Sequence, residues 1–223
     1  MQDSVGILQG LLASALSLEG IAVVLALAYL ILAARESLWC WYCAFVSSAL
    51  YVVILWDARL LMESALSVFY VVMAVVGWYQ WRHGGNAHEG VRITTMQWWQ
   101  HFAVLGVLLV LAFVNGWAMQ RWTSAAWPFV DSFIAWGCVL TTLLVVRKVL
   151  ENWLYWLLFD GMSLLLYIDR ELYLTALLFA LYLVIVVFGY FKWRREYRSY
   201  SDAGSASCLE NSISAAISSS SRK

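Results

Sequence analysis

Residues 151–193 read ENWLYWLLFDGMSLLLYIDRELYLTALLFALYLVIVVFGYFKW. Two long apolar runs flank a short charged turn, Asp169-Arg170-Glu171. Each run is about as long as a helix needs to be to cross a bilayer core of about 30 Å, for which roughly 20 apolar residues suffice. In hydrocarbon every backbone polar group must bond within its own segment, so the runs are expected to be helices. No alternation of polar and apolar residues supports a barrel strand.

The rest of the chain follows suit. Of 223 residues, 63% are hydrophobic and 13% charged. An average soluble domain carries about 25% charged residues, and a single core of this size could not hide so much apolar surface. An all-α polytopic membrane protein is therefore expected. Seven segments qualify as spans: Leu16–Ala34, Trp39–Trp56, Leu60–Trp81, Trp99–Met119, Trp127–Val146, Trp153–Ile168 and Leu172–Phe191. The second and third, and the sixth and seventh, are joined tightly enough to be helical hairpins. Residues 1–15 lack the positive start of a cleavable signal peptide. Trp98, Trp99, Trp117, Trp122 and Trp127 sit where an interfacial aromatic belt belongs.

Lys and Arg set the orientation. One side holds Arg59, Arg121 and Arg170; the other holds Arg35, Arg82, Arg92, Arg147, Lys148, Lys192, Arg194, Arg195, Arg198, Arg222 and Lys223. The crowded side is expected to be cytoplasmic, which places the N-terminus outside. The tail from Ser199 is rich in Ser and Ala and is expected to be disordered.

A gapless shift of 112 residues lays the two halves of the chain on each other. Arg35 falls on Arg147, Trp41 on Trp153, Asp57 on Asp169 and Tyr70 on Tyr182. Gly77 falls on Gly189, Trp81 on Trp193 and Arg82 on Arg194. Chance could match the apolar positions but hardly these. The repeat unit is three helices, and the fourth helix is a connector that crosses once and so gives both units one orientation. This 3+1+3 plan of parallel repeats is a known transporter architecture, with the solute site near mid-membrane between the repeats. The expected segments are 1–15 outside, 16–82 as the first repeat and 83–98 as a cytoplasmic loop. The connector follows at 99–119, the second repeat at 127–195 and a free tail at 196–223.

Polar groups at membrane depth are functional candidates. Asp160 lies about seven residues, or about 10 Å, past Trp153; the alternative reading is a hydrogen bond that braces the bundle. Trp78 and Trp81, and Trp153 and Trp156, are spaced so that each pair shares a helix face. Their ring faces suit a flat, cationic solute, and Gln80 and Asn152 can pair with its polar substituents; an interfacial aromatic belt explains the same residues. Tyr155 lies within the second cluster, and Asn115, Tyr167 and Tyr182 are weaker candidates for the same cavity. The first copy has Cys40, Trp41, Ala44 and Ser48 where the second has Asn152, Trp153, Trp156 and Asp160, so the second copy is expected to grip the solute. The C-x-x-C of Cys40 and Cys43 has no second Cys or His pair and reads as ordinary apolar filling. His83, His88 and His101 have no carboxylate or thiol cluster beside them, so no metal is expected. No ATP-binding loop, nucleophile elbow, zinc signature or intramembrane protease pattern is present, so neither a cofactor nor an enzymatic activity is implied.

The G-W-x-x-W ending at Gly77–Trp81, the E-N-W-x-x-W opening at Glu151–Trp156 followed by Asp160, the L-Y-x-T-A-L-L-F stretch and the G-Y-x-x-W-R ending resemble the PnuC family of vitamin transporters over about Gly20 to Arg195. The resemblance implies a SWEET-like fold and uptake of nicotinamide riboside by facilitated diffusion across a bacterial inner membrane. It also implies a homotrimer and a cytoplasmic kinase that traps the vitamin for NAD synthesis. Thiamine and riboflavin are carried by similar proteins. A non-transporting membrane scaffold or receptor is the alternative of another class.

Overall fold

The structure, a computed structural model, describes residues 18–57, 61–85, 90–122, 127–169 and 173–220. Among them lie seven helices: α1 (Leu18–Ala34), α2 (Trp39–Asp57), α3 (Leu61–His83), α4 (Trp98–Trp122), α5 (Pro128–Val146), α6 (Asn152–Asp169) and α7 (Tyr173–Ser220). Pro128 opens α5, where its fixed φ and missing N–H do no harm. Five helical stretches are long and apolar enough to cross a membrane, within α2, α3, α4, α5 and α7. α1 has 17 residues, and α6 carries Asn152 and Asp160 inside its buried face. Much of the large apolar surface faces outward, including Val110, Phe113, Phe188 and Phe191, as a lipid-bathed molecule requires.

One expected element is corrected. The Ser- and Ala-rich segment from Ser199 is not a disordered tail but continues the backbone of α7 as helix to Ser220. Ala is the best helix former, Ser costs only a few tenths of a kcal/mol per residue, and no proline interrupts the run. The 1–15 segment and His88 lie outside the described residues.

α1, α2 and α3 pack in sequence, and so do α5, α6 and α7. The halves meet where α1 touches α7 and where α3 touches α5, and α4 packs on α5. Small residues let the helices approach. The rings of Trp41 and Trp153 lie over Gly77 and Gly189, where an added Cβ would sit 2.3 and 2.6 Å from ring carbons. Trp41 meets Trp81 edge-on at 5.2 Å, and Trp153 meets Trp193 edge-on at 5.4 Å. The Trp81 indole N–H then crosses to the Val145 carbonyl at 3.1 Å, and the Trp193 N–H crosses back to the Ala33 carbonyl at 3.2 Å. Each of these contacts is the other's image at the 112-residue offset.

The α1–α2 and α5–α6 turns are images as well. Ser37 N–H reaches back to the Leu32 carbonyl and Val149 N–H to the Leu144 carbonyl, both at 3.0 Å. This is the helix-ending bond that normally places Gly in the left-handed conformation. Here Glu36 (φ 56°) and Lys148 (φ 50°) occupy it, at a cost of order 1 kcal/mol each. The two strained residues face each other: Lys148 Nζ lies 2.9 Å from the Glu36 carboxylate and 4.6 Å from the centre of the Trp81 ring. The α3–α4 linker covers this end. Thr94 N–H donates to the Lys148 carbonyl at 3.0 Å, Leu150 N–H donates to the Thr94 carbonyl at 2.8 Å, and Glu151 accepts from Met96 N–H. Ile93 is buried beneath it. The expected loop is thus stitched to the second half.

Because Glu36 and Lys148 are image positions, exchanging them should be tolerated. Glu36→Gln or Lys148→Met alone should lower thermal stability in detergent by an amount of order 1 kcal/mol or more, and the double exchange Glu36→Lys/Lys148→Glu should recover most of it. Additive losses in that cycle would show that the pair is not coupled.

Candidate functional site

A cavity of about 390 Å³ lies between the halves. It extends from Trp41, Ala74 and Trp156, next to the tryptophan cluster, toward Leu55 and Leu66 near the other end of α2 and α3. Six pairs of its lining residues are images of each other: Ala26 and Cys138, Leu30 and Thr142, Ala44 and Trp156, Ser48 and Asp160, Ser67 and Phe179, Tyr70 and Tyr182. The cavity therefore straddles the line about which the two halves repeat.

Helical spacing accounts for the lining. On α2, Trp41, Ala44, Ser48, Tyr51 and Leu55 follow at steps of three and four, and on α3 so do Ser67, Tyr70 and Ala74. Such steps place side chains on one helix face. α6 contributes Trp156 and Asp160, four apart. Hydroxyl groups that lack outside partners are turned back to their own helices: Thr142 donates to the Cys138 carbonyl and Thr141 to that of Gly137, both at 2.7 Å. Ser47 donates to the Ala22 carbonyl at 2.8 Å, tying α2 to α1.

Asp160 differs from the rest. It is 5% exposed, it lines the cavity, and no described Lys, Arg or His lies within ion-pairing distance of it. No lining residue is basic. Its image, Ser48, is neutral. The cavity thus holds one carboxyl group and, beside it, the Trp156 ring.

Of the residues singled out from sequence, Trp156, Asp160 and Tyr182 line this cavity. The others lie elsewhere. Trp81 and Trp153 are buried in the cluster below it. Trp78 is half-buried against the core cluster, among Tyr42, His83 and the Arg82 guanidinium, 5.3 Å above its ring. Gln80 lies beside Gly84 at the foot of α3. Asn152 donates to the Val149 carbonyl at 2.6 Å and closes the α5–α6 turn. Tyr155 bonds His101 of α4 at 2.9 Å. Asn115 donates to Ser132 at 3.1 Å and joins α4 to α5. Tyr167 stacks on Phe179 at 5.2 Å. The first half supplies much of the wall, including Tyr29, Trp41, Tyr51 and Tyr70; sequence reasoning used Trp41, Ser48 and Tyr70 only as repeat markers. The three-and-four spacing of Ser and Tyr in apolar helices is the signal that finds them. Among the described residues no group of three or more His, Cys, Asp or Glu could hold a metal ion, and Cys40, Cys43 and Cys138 are free thiols.

Comparison with known proteins places this geometry. The family described as nicotinamide mononucleotide transporter matches residues 16–195, and the chain belongs to it. The riboflavin/roseoflavin transporter RibM of Streptomyces davaonensis is 26% identical over 176 residues, covering 76% of this chain and 81% of RibM. The nicotinamide riboside transporter PnuC of Escherichia coli is 21% identical over 203 residues, covering 79% and 84%. A crystal structure of the vitamin B3 transporter PnuC superposes with a TM-score of 0.67 at 19% identity, covering 82% of each chain. The protein is a multi-pass membrane transporter of the PnuC family of vitamin transporters, not an enzyme.

If solute passes through this cavity, filling it must stop transport. Ala44→Trp gives the first half the residue its image already has and should abolish vitamin uptake by cells that express it, with the protein still folded and inserted. Uptake by a normally expressed Ala44→Trp variant would place the path elsewhere.

Proposed function

We propose that this transporter carries a small cationic vitamin, nicotinamide riboside, down its gradient into the cytoplasm. The observation that carries the reading is Asp160. A carboxylate buried at membrane depth without a cation is costly, and the cavity wall offers none. A pyridinium ring supplies the missing charge permanently. The same ring stacks on Trp156 and Trp41, where a cation over an aromatic face gains about 0.5–2 kcal/mol. Tyr70, Tyr182 and Ser48 then face the ribose hydroxyls and the carboxamide. A phosphorylated nucleotide is a poorer fit, because its phosphate would lie near Asp160 with no Lys or Arg to meet it.

The transport path is a seven-helix 3+1+3 arrangement of two parallel repeats, SWEET-like in plan, which rock about the cavity. The image contacts at both turns and in the tryptophan cluster support this reading, since symmetric halves can exchange which end is shut. The end sealed by Trp81, Trp193 and the Glu36–Lys148 pair carries Arg35, Arg82, Arg147 and Arg194. It is the cytoplasmic end by the charge rule, with the N-terminus periplasmic and the membrane a bacterial inner membrane. Net uptake then depends on a cytoplasmic kinase that traps the vitamin for NAD synthesis, and the assembly is a homotrimer as in the family.

Riboflavin is the second reading, favoured by the higher identity to RibM, and thiamine shares the cationic requirement. In cells that retain the kinase, Asp160→Asn should weaken nicotinamide riboside uptake by roughly thirtyfold or more in apparent affinity, as loss of one partner of a buried charge pair does. Riboflavin uptake, where present, should be unchanged. Full nicotinamide riboside uptake by Asp160→Asn would contradict the cationic reading, and a loss confined to thiamine would reassign the cation.

A further inference from the structure

Away from the transport cavity, one face of α7 changes character along its length. Leu177, Leu181, Val184, Phe188 and Phe191 are all exposed and recur at steps of three and four, so they form one stripe. Neither α6 nor α1, the helices α7 packs against, covers it. At about 1.5 Å per residue the stripe is about 21 Å long, somewhat more than one leaflet of a bilayer core about 30 Å thick. One turn beyond Phe191 the same azimuth becomes basic: Arg195 continues the stripe, Arg198 and Arg194 flank it on one side, and Lys192 flanks it on the other. Phe191, Arg194, Arg195 and Arg198 enclose a recess of about 320 Å³.

These arginines have no acidic partner within 4 Å among the described residues. Arg194 leans on the Tyr190 ring at 5.9 Å. Glu196 points to the far side of the helix, where Tyr200 bonds it, and Asp202 lies one turn past Arg198. The recess therefore presents guanidinium groups at the point where an apolar stripe meets the headgroup level.

We propose that this face is a binding site for an anionic phospholipid, its phosphate held by Arg194, Arg195 and Arg198 and an acyl chain laid along Phe191, Phe188, Val184 and Leu181. Guanidinium forks bind phosphate oxygens in pairs, and basic clusters at the cytoplasmic edge of a membrane helix attract anionic lipid. A free phosphate would use the arginines but not the stripe. The commitment to a lipid rests on the two being continuous.

The site is tested by native mass spectrometry of the purified full-length protein, exchanged into phosphatidylcholine with and without phosphatidylglycerol. The wild type should retain phosphatidylglycerol in preference to phosphatidylcholine; equal retention overturns the proposal. Combined Arg194→Gln, Arg195→Gln and Arg198→Gln should weaken that retention about a hundredfold, at about tenfold or less per charge, whereas the same three changes to Lys should keep most of it. Unchanged retention by the Gln variant overturns the site. Displacement of the lipid by inorganic phosphate would assign the arginines to a soluble anion instead.

Discussion

Two indole N–H groups hold the halves of this protein together. Trp81 donates across to Val145 and Trp193 donates back to Ala33. Both accepting carbonyls lie in the last turn of a helix and already take a backbone N–H from their own turn, Val145 from Lys148 at 2.9 Å and Ala33 from Glu36 at 3.0 Å. A carbonyl oxygen has two lone pairs, and each indole N–H fills the one its own turn leaves over, so the halves meet at two closed helix ends. The remaining contacts of this region follow. Trp41 and Trp153 can press against Trp81 and Trp193 because Gly77 and Gly189 give them room. The two left-handed turns bring Glu36 and Lys148 face to face above the cluster. Not every group is satisfied. The N–H of Trp41, the N–H of Trp153 and the Asn152 side-chain oxygen are buried without partners among the described residues. A cluster that leaves such groups orphaned keeps a smaller margin over a rearranged one than a fully bonded cluster would.

The same symmetry shapes the cavity, and departures from it shape the chemistry. Tyr70 and Tyr182 keep the pairing. Ala44 opposite Trp156, and Ser48 opposite Asp160, break it. Ala26 and Cys138, Leu30 and Thr142, and Ser67 and Phe179 differ as well. The carboxyl group lies on the second-half side alone, whereas rings line both sides: Tyr29, Trp41, Tyr51 and Tyr70 from the first half, Trp156, Phe179 and Tyr182 from the second. The copies thus share the contacts of the tryptophan cluster and of the turns, but differ at five of the six paired cavity positions.

Much of this was legible in the residues. Apolar length located all seven helices, because hydrocarbon leaves few alternatives to a helix of fixed span. The gapless repeat was readable because Trp, Gly, Tyr and Arg matched in one register. What a register does not tell is which way a matched residue faces. Trp81 and Trp193 were identified as a pair, but only packing shows that they form the seam and not the solute wall. Asn152 was expected to meet the solute and instead closes a helix turn, a local role that Asn fills as well as a ligand-binding one. Asp160 stands out among the cavity-lining residues because charge at membrane depth is rare, whereas Ala44, Tyr29 and Tyr51 carry no such mark. The segment after Ser199 is weakly hydrophobic, which hides its helix, because helix propensity does not require an apolar face.

A cavity with one carboxyl group and no basic residue should select its solute by charge. The most direct test compares equilibrium binding of nicotinamide riboside and of its reduced dihydro form to the purified wild-type protein. The two share ribose, carboxamide and ring size, but the reduced ring is neutral. The cationic form should bind at least tenfold more tightly, a difference of about 1.4 kcal/mol. Equal affinity for the two forms would contradict it.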